Sequence, residues 1–114
     1  MSHDPNCIFC RIAAGEIPAQ KVHEDDELIA FKDIRPAAPV HLLIIPREHI
    51  ATLADAEPRH QALLGRMALL ATKLAREHGA DNGFRTVINT GPDGGQEVYH
   101  LHMHVMGGPR PWKQ

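Results

Sequence analysis

The chain has 114 residues, a net charge of −2 with histidine counted as neutral, and 43% hydrophobic residues. This size and composition support one buried core, so we expect a single domain spanning residues 1–114. The charge balance and the small number of aromatic residues argue against a nucleic-acid or anionic-lipid partner. No apolar run approaches the ~20 residues that span a bilayer, and the first residues lack a secretory signal pattern, so we expect a cytoplasmic protein.

The segment from residue 7 to residue 46 predicts a short helix followed by three strands. The helix is predicted at residues 7–14, and the strands are predicted at residues 21–24, 28–32 and 41–45. Gly15 favours the end of the helix, and the acidic pair Asp25 and Asp26 favours a turn between the first two strands. The third strand is a continuous apolar run, HLLII, that ends at Pro46.

The rest of the chain predicts one long helix and two strands. The helix is predicted at residues 55–78, and the strands are predicted at residues 84–89 and 100–106. Apolar residues between Leu63 and Leu74 recur at helical spacing, while Asp55 and Gly79 suit the two ends of the helix. Adjacent strands around one main helix favour an α+β fold with an antiparallel sheet of about five strands.

The last predicted strand, HLHMHVM, alternates histidine with apolar residues. In a strand, His100, His102 and His104 share one face, and successive residues of that face lie ~6.5–7 Å apart. This spacing suits a small oxyanion bound between two imidazoles, and a neutral imidazole can attack phosphorus near pH 7. The alternative is a hydrolase metal site made by the same three histidines.

A glycine-rich segment, NTGPDGGQ at residues 89–96, precedes the histidines. Backbone N–H groups and two amide side chains of such a turn can approach a phosphate. By itself the segment is typical of an ordinary hairpin loop. Beside three histidines on one strand face, it indicates an anion site.

The two cysteines, Cys7 and Cys10, are separated by two residues on the predicted short helix. A cytosolic pair with this spacing is typically redox-active or bound to metal, and it is a recurring half of a tetrahedral zinc site. Two more ligands would be needed, and His49 and His100 are the candidates. The alternative is a pair of buried thiols with His49 on the surface.

The chain resembles the histidine triad (HIT) superfamily, in particular its histidine triad nucleotide-binding (Hint) branch. HLHMHVM fits the superfamily signature, and the likeness extends through CIFCRI, EIPA, FKDIRPAAPVHLLIIPREHI and VINTGPDGGQ to the tryptophan near the end. The resemblance implies the HIT fold and a homodimer. It also implies that His102 is the nucleophile, that His104 contacts the phosphate, and that His41 supports the triad from the neighbouring strand.

The resemblance further implies a purine nucleotide site and a structural zinc ion, with no organic cofactor. Asp33 would hold the ribose hydroxyls. The phosphate-loop positions would be Asn89, Gly95 and Gln96, and the base slot would be formed by Ile8, Phe9, Phe31, Ile34 and Leu43. The zinc ligands would be Cys7, Cys10, His49 and His100. Glu97 stands where Hint relatives often carry serine, and an ionised carboxylate cannot donate a hydrogen bond to a leaving group.

The resulting hypothesis is a hydrolase that cleaves the P–N bond of nucleoside 5′-phosphoramidates. His102 would attack the α-phosphorus, and water would release AMP or GMP from the phosphohistidine. The alternatives are hydrolysis of dinucleoside polyphosphates or acyl adenylates, a metal hydrolase centred on the three histidines, and a nucleotide-sensing module with incidental turnover.

Overall fold

An open five-stranded antiparallel sheet forms the centre of the structure, a computed structural model that describes residues 3–112. The strands are β1 (Lys21–Glu24), β2 (Leu28–Lys32), β3 (Val40–Pro46), β4 (Phe84–Val87) and β5 (Met103–Gly107). Their order across the sheet is β1-β2-β3-β5-β4, and every neighbouring pair is antiparallel. The predicted α+β class is therefore confirmed. No helix in the described range is long and apolar enough to cross a membrane.

Two α-helices pack on opposite faces of the sheet: α1 (Ile8–Ala13) and α2 (Gln61–Glu77). The central strands β2 and β3 are buried on both sides, which explains their nearly continuous apolar sequences. Alternate residues of these strands face opposite helices because side chains of a strand alternate between faces. Thus Leu42 and Ile44 join the core under α2, whereas Leu43 and Ile45 pack with α1.

The long helix begins six residues later than predicted. Two 3₁₀ turns, Leu53–Asp55 and Pro58–His60, precede it. Glu57 has an extended backbone (φ −114°, ψ 165°), because the ring of Pro58 disfavours the α conformation in the residue before it. The predicted cap at Asp55 therefore belongs to the first short turn, where its carboxylate accepts hydrogen bonds from Thr52.

The last strand also begins later than predicted, at Met103 rather than His100. Its ladder with β3 starts at the pair Ile44 and Met103. The preceding residues leave the ladder, and the N–H of Leu101 instead donates to the carbonyl of Ile50 at 2.6 Å. Strand β4 is likewise two residues shorter than predicted. The first two histidines of HLHMHVM consequently lie in an irregular segment at the start of β5.

Candidate active site

The ring of His102 is held in one orientation by a backbone carbonyl. Its Nδ1 atom lies 2.7 Å from the carbonyl oxygen of His100, and the side chain is buried beside the ring of Phe9. Because a carbonyl oxygen can only accept, His102 Nδ1 carries the proton and Nε2 keeps its lone pair. A neutral imidazole held in this tautomer can act as a nucleophile.

His104 and His41 form a hydrogen-bonded pair across β5 and β3. His41 Nε2 lies 2.9 Å from His104 Nδ1, and it lies 3.4 Å from Asp33 Oδ2. The pKa of His104 is lowered to about 4, chiefly by burial and to a smaller extent by the neighbouring His102 and His41. Burial also lowers the pKa of His41, although Asp33 opposes that shift. Both imidazoles are therefore neutral near pH 7.

The two histidines and Asp33 also have the spacing of a metal site, since their donor atoms lie within 4.8 Å of one another. However, the backbone N–H of Ala37 donates to His41 Nδ1 at 2.9 Å. The proton of neutral His41 must then lie on Nε2, the nitrogen that would have to bind the metal. This hydrogen bond argues against a metal ion among these three residues.

The three histidines of HLHMHVM do not converge on one point. His100 Nδ1 faces the thiols of Cys7 and Cys10, at 3.3 and 3.5 Å, whereas the rings of His102 and His104 pack together with 5.1 Å between their centroids. Within residues 3–112, no metal-ligand cluster combines all three histidines. The geometry thus disfavours the alternative of a metal hydrolase centred on them.

The residues predicted for the base and ribose lie around β2 and α1. Asp33 follows β2, and its Oδ1 accepts the N–H of Arg35 at 2.8 Å. The predicted base-slot residues Phe9, Phe31 and Leu43 are buried together, and the two phenylalanine rings meet edge to face at 5.6 Å. In contrast, Ile34 is 93% exposed and Ile8 is 47% exposed. The five residues predicted for the base slot thus divide into three that are buried in the core and two that are exposed.

The glycine-rich loop is held together by its own hydrogen bonds. Gln96 Nε2 donates to the carbonyls of Ala51 and Val98, while its Oε1 accepts the N–H of Gly91. The polar atoms of the Gln96 side chain thus have partners inside the protein, and a contact of this residue with a phosphate stays a prediction. Asn89 Nδ2 donates to the Gly94 carbonyl at 2.8 Å, so it too stabilises the loop.

The main-chain N–H groups in and after this loop differ in whether they already have partners. The N–H groups of Gly94 and Gly95 donate to the carbonyls of Gly91 and Pro92. The N–H groups of Glu97 and Val98, by contrast, donate no hydrogen bond within residues 3–112. The sequence could not show which of these N–H groups lack a partner, because every one of these residues has the same main-chain donor.

The four predicted zinc ligands meet at one site. Their donor atoms lie within 4.8 Å of one another, and Cys10 Sγ is 3.3 Å from His49 Nδ1. Cys7 is the N-cap of α1, and its sulfur accepts the N–H of Cys10, so one helical turn places both thiols together. A tetrahedral zinc ion with ordinary Zn–S and Zn–N lengths needs sulfur–nitrogen separations of about 3.5 Å. The cluster therefore has the size and donor chemistry of a zinc site.

The protonation of His100 also fits a metal ligand. Its Nε2 lies 2.7 Å from the Pro46 carbonyl and donates to it, which leaves the lone pair of Nδ1 directed at the thiols. Burial lowers the pKa of His100 to about 4, so the ring is neutral. Burial raises the pKa of the Cys10 thiol to about 11, and a bound cation would reverse this by stabilising the thiolate.

The antiparallel sheet, the paired helices and the clustered histidines together define a histidine triad protein, and comparisons agree with that class. A family model described as "Scavenger mRNA decapping enzyme C-term binding" matches residues 6–113. The chain resembles a solved HIT family hydrolase from Legionella pneumophila Philadelphia 1, with a TM-score of 0.89 and 52% identity over 92% of this chain and 95% of that one. The chain belongs to the HIT family.

Several curated relatives match over most of their length. Protein HitA of Neisseria gonorrhoeae is 61% identical over 104 residues, which cover 91% of this chain and 97% of that protein. The purine nucleoside phosphoramidase of Escherichia coli strain K12 is 49% identical over 102 residues, 89% of this chain and 86% of the enzyme. The 14 kDa zinc-binding protein of Brassica juncea is 50% identical over 103 residues, 89% of this chain and 91% of that protein.

A metal-bound relative has also been solved. It is a Zn-bound histidine triad family protein from Mycobacterium smegmatis, with a TM-score of 0.79 and 36% identity over 90% of this chain and 74% of that chain.

Proposed function

We propose that this protein hydrolyses purine nucleoside 5′-phosphoramidates through a phosphohistidine on His102. The observation that carries the proposal is the 2.7 Å contact between His102 Nδ1 and the His100 carbonyl, which leaves Nε2 as a nucleophile. A relative with 49% identity is named for this activity. We propose the same class of substrate for this protein.

In the proposed reaction, His102 Nε2 attacks the α-phosphorus in line, the P–N bond breaks, and the departing nitrogen takes a proton from solvent and leaves as the amine. His104 donates from Nε2 to a phosphoryl oxygen, and the main-chain N–H groups of Glu97 and Val98 hold the others as charge redistributes. Water then attacks the phosphohistidine, releases AMP or GMP, and restores the neutral imidazole. Phe9, Phe31 and the exposed isoleucines would hold the base.

Asp33 has two roles in this proposal. Its carboxylate would accept hydrogen bonds from the ribose hydroxyls, as carboxylates do in dinucleotide-binding folds. It also lies 3.4 Å from His41 Nε2, so it contributes negative charge next to the imidazole pair. The nucleoside and the phosphoryl group would therefore be held by one continuous set of side chains.

Glu97 is proposed to face the departing amine. Its main-chain N–H is one of the proposed phosphate donors, and its side chain lines a cavity of about 340 Å³ with Ile8 and with Cys7 and His49 of the cysteine–histidine cluster. An ionised carboxylate cannot donate a hydrogen bond to the leaving nitrogen, so the proton that this nitrogen needs comes from solvent.

We also propose that Cys7, Cys10, His49 and His100 hold one zinc ion. With four protein ligands, zinc would supply a structural crosslink and no open position for water. His100 links this site to the nucleophile, because its ring is a ligand and its carbonyl orients His102.

A homodimer is the proposed assembly. Strand β4 lies at an edge of the sheet, and an uncovered edge presents unpaired main-chain groups. Two large apolar side chains, Leu69 on α2 and Phe84 on β4, are 74% and 37% exposed. A symmetric contact would cover them.

The decisive experiment combines a substitution with stereochemistry. His102→Ala should abolish phosphoramidate turnover while AMP binding stays within about tenfold, because base and ribose contacts come from other residues. Hydrolysis of a chiral α-phosphorothioate by the wild type should retain configuration at phosphorus, since two in-line displacements invert it twice. Net inversion, or turnover that survives in His102→Ala, would overturn the phosphohistidine mechanism.

A further inference from the structure

The loop between β2 and β3 contacts the histidine pair through its main chain. The backbone N–H of Ala37 donates to His41 Nδ1 at 2.9 Å, and this contact is partly buried. An amide N–H can only donate, so His41 Nδ1 must be the acceptor. Neutral His41 therefore carries its proton on Nε2.

The position of the proton on His41 also determines the position of the proton on His104. His41 Nε2 lies 2.9 Å from His104 Nδ1, and it is the donor in this contact because it carries the only ring proton of His41. His104 Nδ1 must then accept, which leaves the His104 proton on Nε2. Since burial keeps both rings neutral near pH 7, the direction of each hydrogen bond is determined.

We propose that the backbone N–H of Ala37 is a positioning group that orients the protons of His41 and His104, so that His104 presents an N–H donor to the bound phosphate. The proposal rests on the proposed function, in which a phosphate lies against His104. With the opposite order of protons, His104 would present a lone pair to an anionic oxygen. Loss of one such donor typically lowers kcat by about 10²–10³-fold.

The loop that carries Ala37 is fixed at both ends. The Asp33 N–H donates to the His41 carbonyl at 3.0 Å, and Asp33 Oδ1 accepts the N–H of Arg35. At the other end Pro39 packs against Gly108, where an added Cβ would lie 2.7 Å from the proline ring. The amide of Ala37 is thus held in place by its surroundings.

His102 and His104 therefore differ at Nε2, which accepts in one ring and donates in the other. The carbonyl of His100 leaves His102 with a lone pair on Nε2, while the amide of Ala37, acting through His41, leaves His104 with a proton on Nε2. A nucleophile and a hydrogen-bond donor therefore lie side by side, with 5.1 Å between ring centroids. Both assignments depend on main-chain groups.

The test replaces the Ala37 amide with an ester, by incorporating lactic acid at position 37 through nonsense suppression. The ester removes the N–H, keeps the methyl side chain, and places an oxygen acceptor opposite His41 Nδ1. We expect the proton of His41 to move to Nδ1 and that of His104 to follow, as read from ¹⁵N chemical shifts of labelled histidines. We expect kcat for a phosphoramidate to fall by about 10²-fold, with a smaller effect on KM.

Two matched controls separate this effect from a general disturbance of the loop. Ala37→Gly keeps the N–H and should keep both tautomers. An ester at Ala38, whose N–H donates no hydrogen bond within residues 3–112, should also leave them unchanged. Unchanged histidine tautomers in the Ala37 ester would overturn the proposal.

The intact protein provides a measurement that needs no substitution. A scalar coupling across the hydrogen bond from the Ala37 nitrogen to His41 Nδ1, with both histidines protonated on Nε2, is the expected result. Protonation of either ring on Nδ1 would overturn the inference. A wild-type protein that lacks phosphoramidase activity would refute the proposed function, whereas the tautomer change in the ester would still support the positioning role.

Discussion

Single hydrogen bonds differentiate the histidines of this protein. His100 Nε2 donates to the Pro46 carbonyl and so presents Nδ1 to the thiols, whereas His102 Nδ1 donates to the His100 carbonyl and presents Nε2. Neighbouring rings therefore differ in which nitrogen carries the lone pair. Chemical role at the residue scale depends on main-chain acceptors as much as on residue type.

The buried histidines predict a specific acid sensitivity. The pKa of His104 is lowered from 6.5 to about 4, so between these values the unfolded chain binds a proton that the folded protein does not. The free energy of unfolding should therefore fall as pH decreases from about 6.5 to 4.5. His104→Gln should reduce this fall by about 1–3 kcal/mol, as measured by urea denaturation at several pH values.

The carboxyl group of Asp25 contributes little in that range. Burial opposes the shift at Asp25, yet hydrogen bonds from His23 and from two backbone N–H groups lower its pKa to about 2. Its stabilising contribution is consequently lost mostly below 3.8, as the pH falls from the unfolded pKa towards the folded one. An equal loss of stability in wild type and His104→Gln would contradict the assignment to the histidine.

At the scale of elements, the glycine-rich loop needs glycine for a steric reason at one position. A Cβ on Gly94 would lie 2.2 Å from the carbonyl oxygen of Thr90, so the loop must move to accept any side chain. The adjacent amide of Gln96 joins the loop to Ala51 and Val98. The loop is therefore a compact unit that supports the main-chain donors following it.

Gly94→Ala should disrupt this loop, lowering kcat/KM for a phosphoramidate at least tenfold through misplaced main-chain donors. The matched control is Gly65→Ala, because Gly65 lies in α2 with nothing within 4 Å of an added Cβ. That control should raise the free energy of unfolding by about 0.5–1 kcal/mol and leave kcat/KM unchanged. Equal activity of the two variants would refute the role assigned to the loop.

The proposed zinc site connects α1 to the irregular segment before β5. Protein purified without chelator should contain close to one zinc equivalent per chain by elemental analysis. Removing the metal should lower the melting temperature, because metal-binding free energy contributes to folding free energy. It should also lower kcat more than it weakens AMP binding, since His100 orients His102 whereas Asp33 lies elsewhere.

A double variant supplies the control for metal removal. Cys7→Ser with Cys10→Ser should have a low melting temperature that chelator does not change further. Less than a tenth of an equivalent of any metal in the wild type would reject the zinc site.

At the scale of the whole molecule, the proposed dimer predicts a change of mass. Wild-type protein should elute as a dimer in size-exclusion chromatography with light scattering, and Leu69→Glu with Phe84→Glu should elute as a monomer. Leu53→Glu is the control, because Leu53 is also partly exposed but lies in the turn before α2. A monomeric wild type would contradict the proposal.

Much of the fold could be predicted because buried apolar residues recur along the sequence with the period of the strand or helix that they form. The apolar runs of β2 and β3 and the apolar stripe of α2 indicate their own structures. The beginnings of α2 and β5 could not be predicted in this way. The first depends on the backbone of Glu57 before Pro58, and the second depends on where the partner strand β3 stops pairing.

The sequence by itself determined the α+β class, the clustering of His102 with His104, and the pairing of Cys7 with Cys10, because each depends on spacing along the chain. Only the tertiary structure decided which nitrogen of each imidazole carries a proton. The groups responsible are the carbonyl of His100 and the amide of Ala37. Every residue has such main-chain groups, so their effect depends on where folding places them.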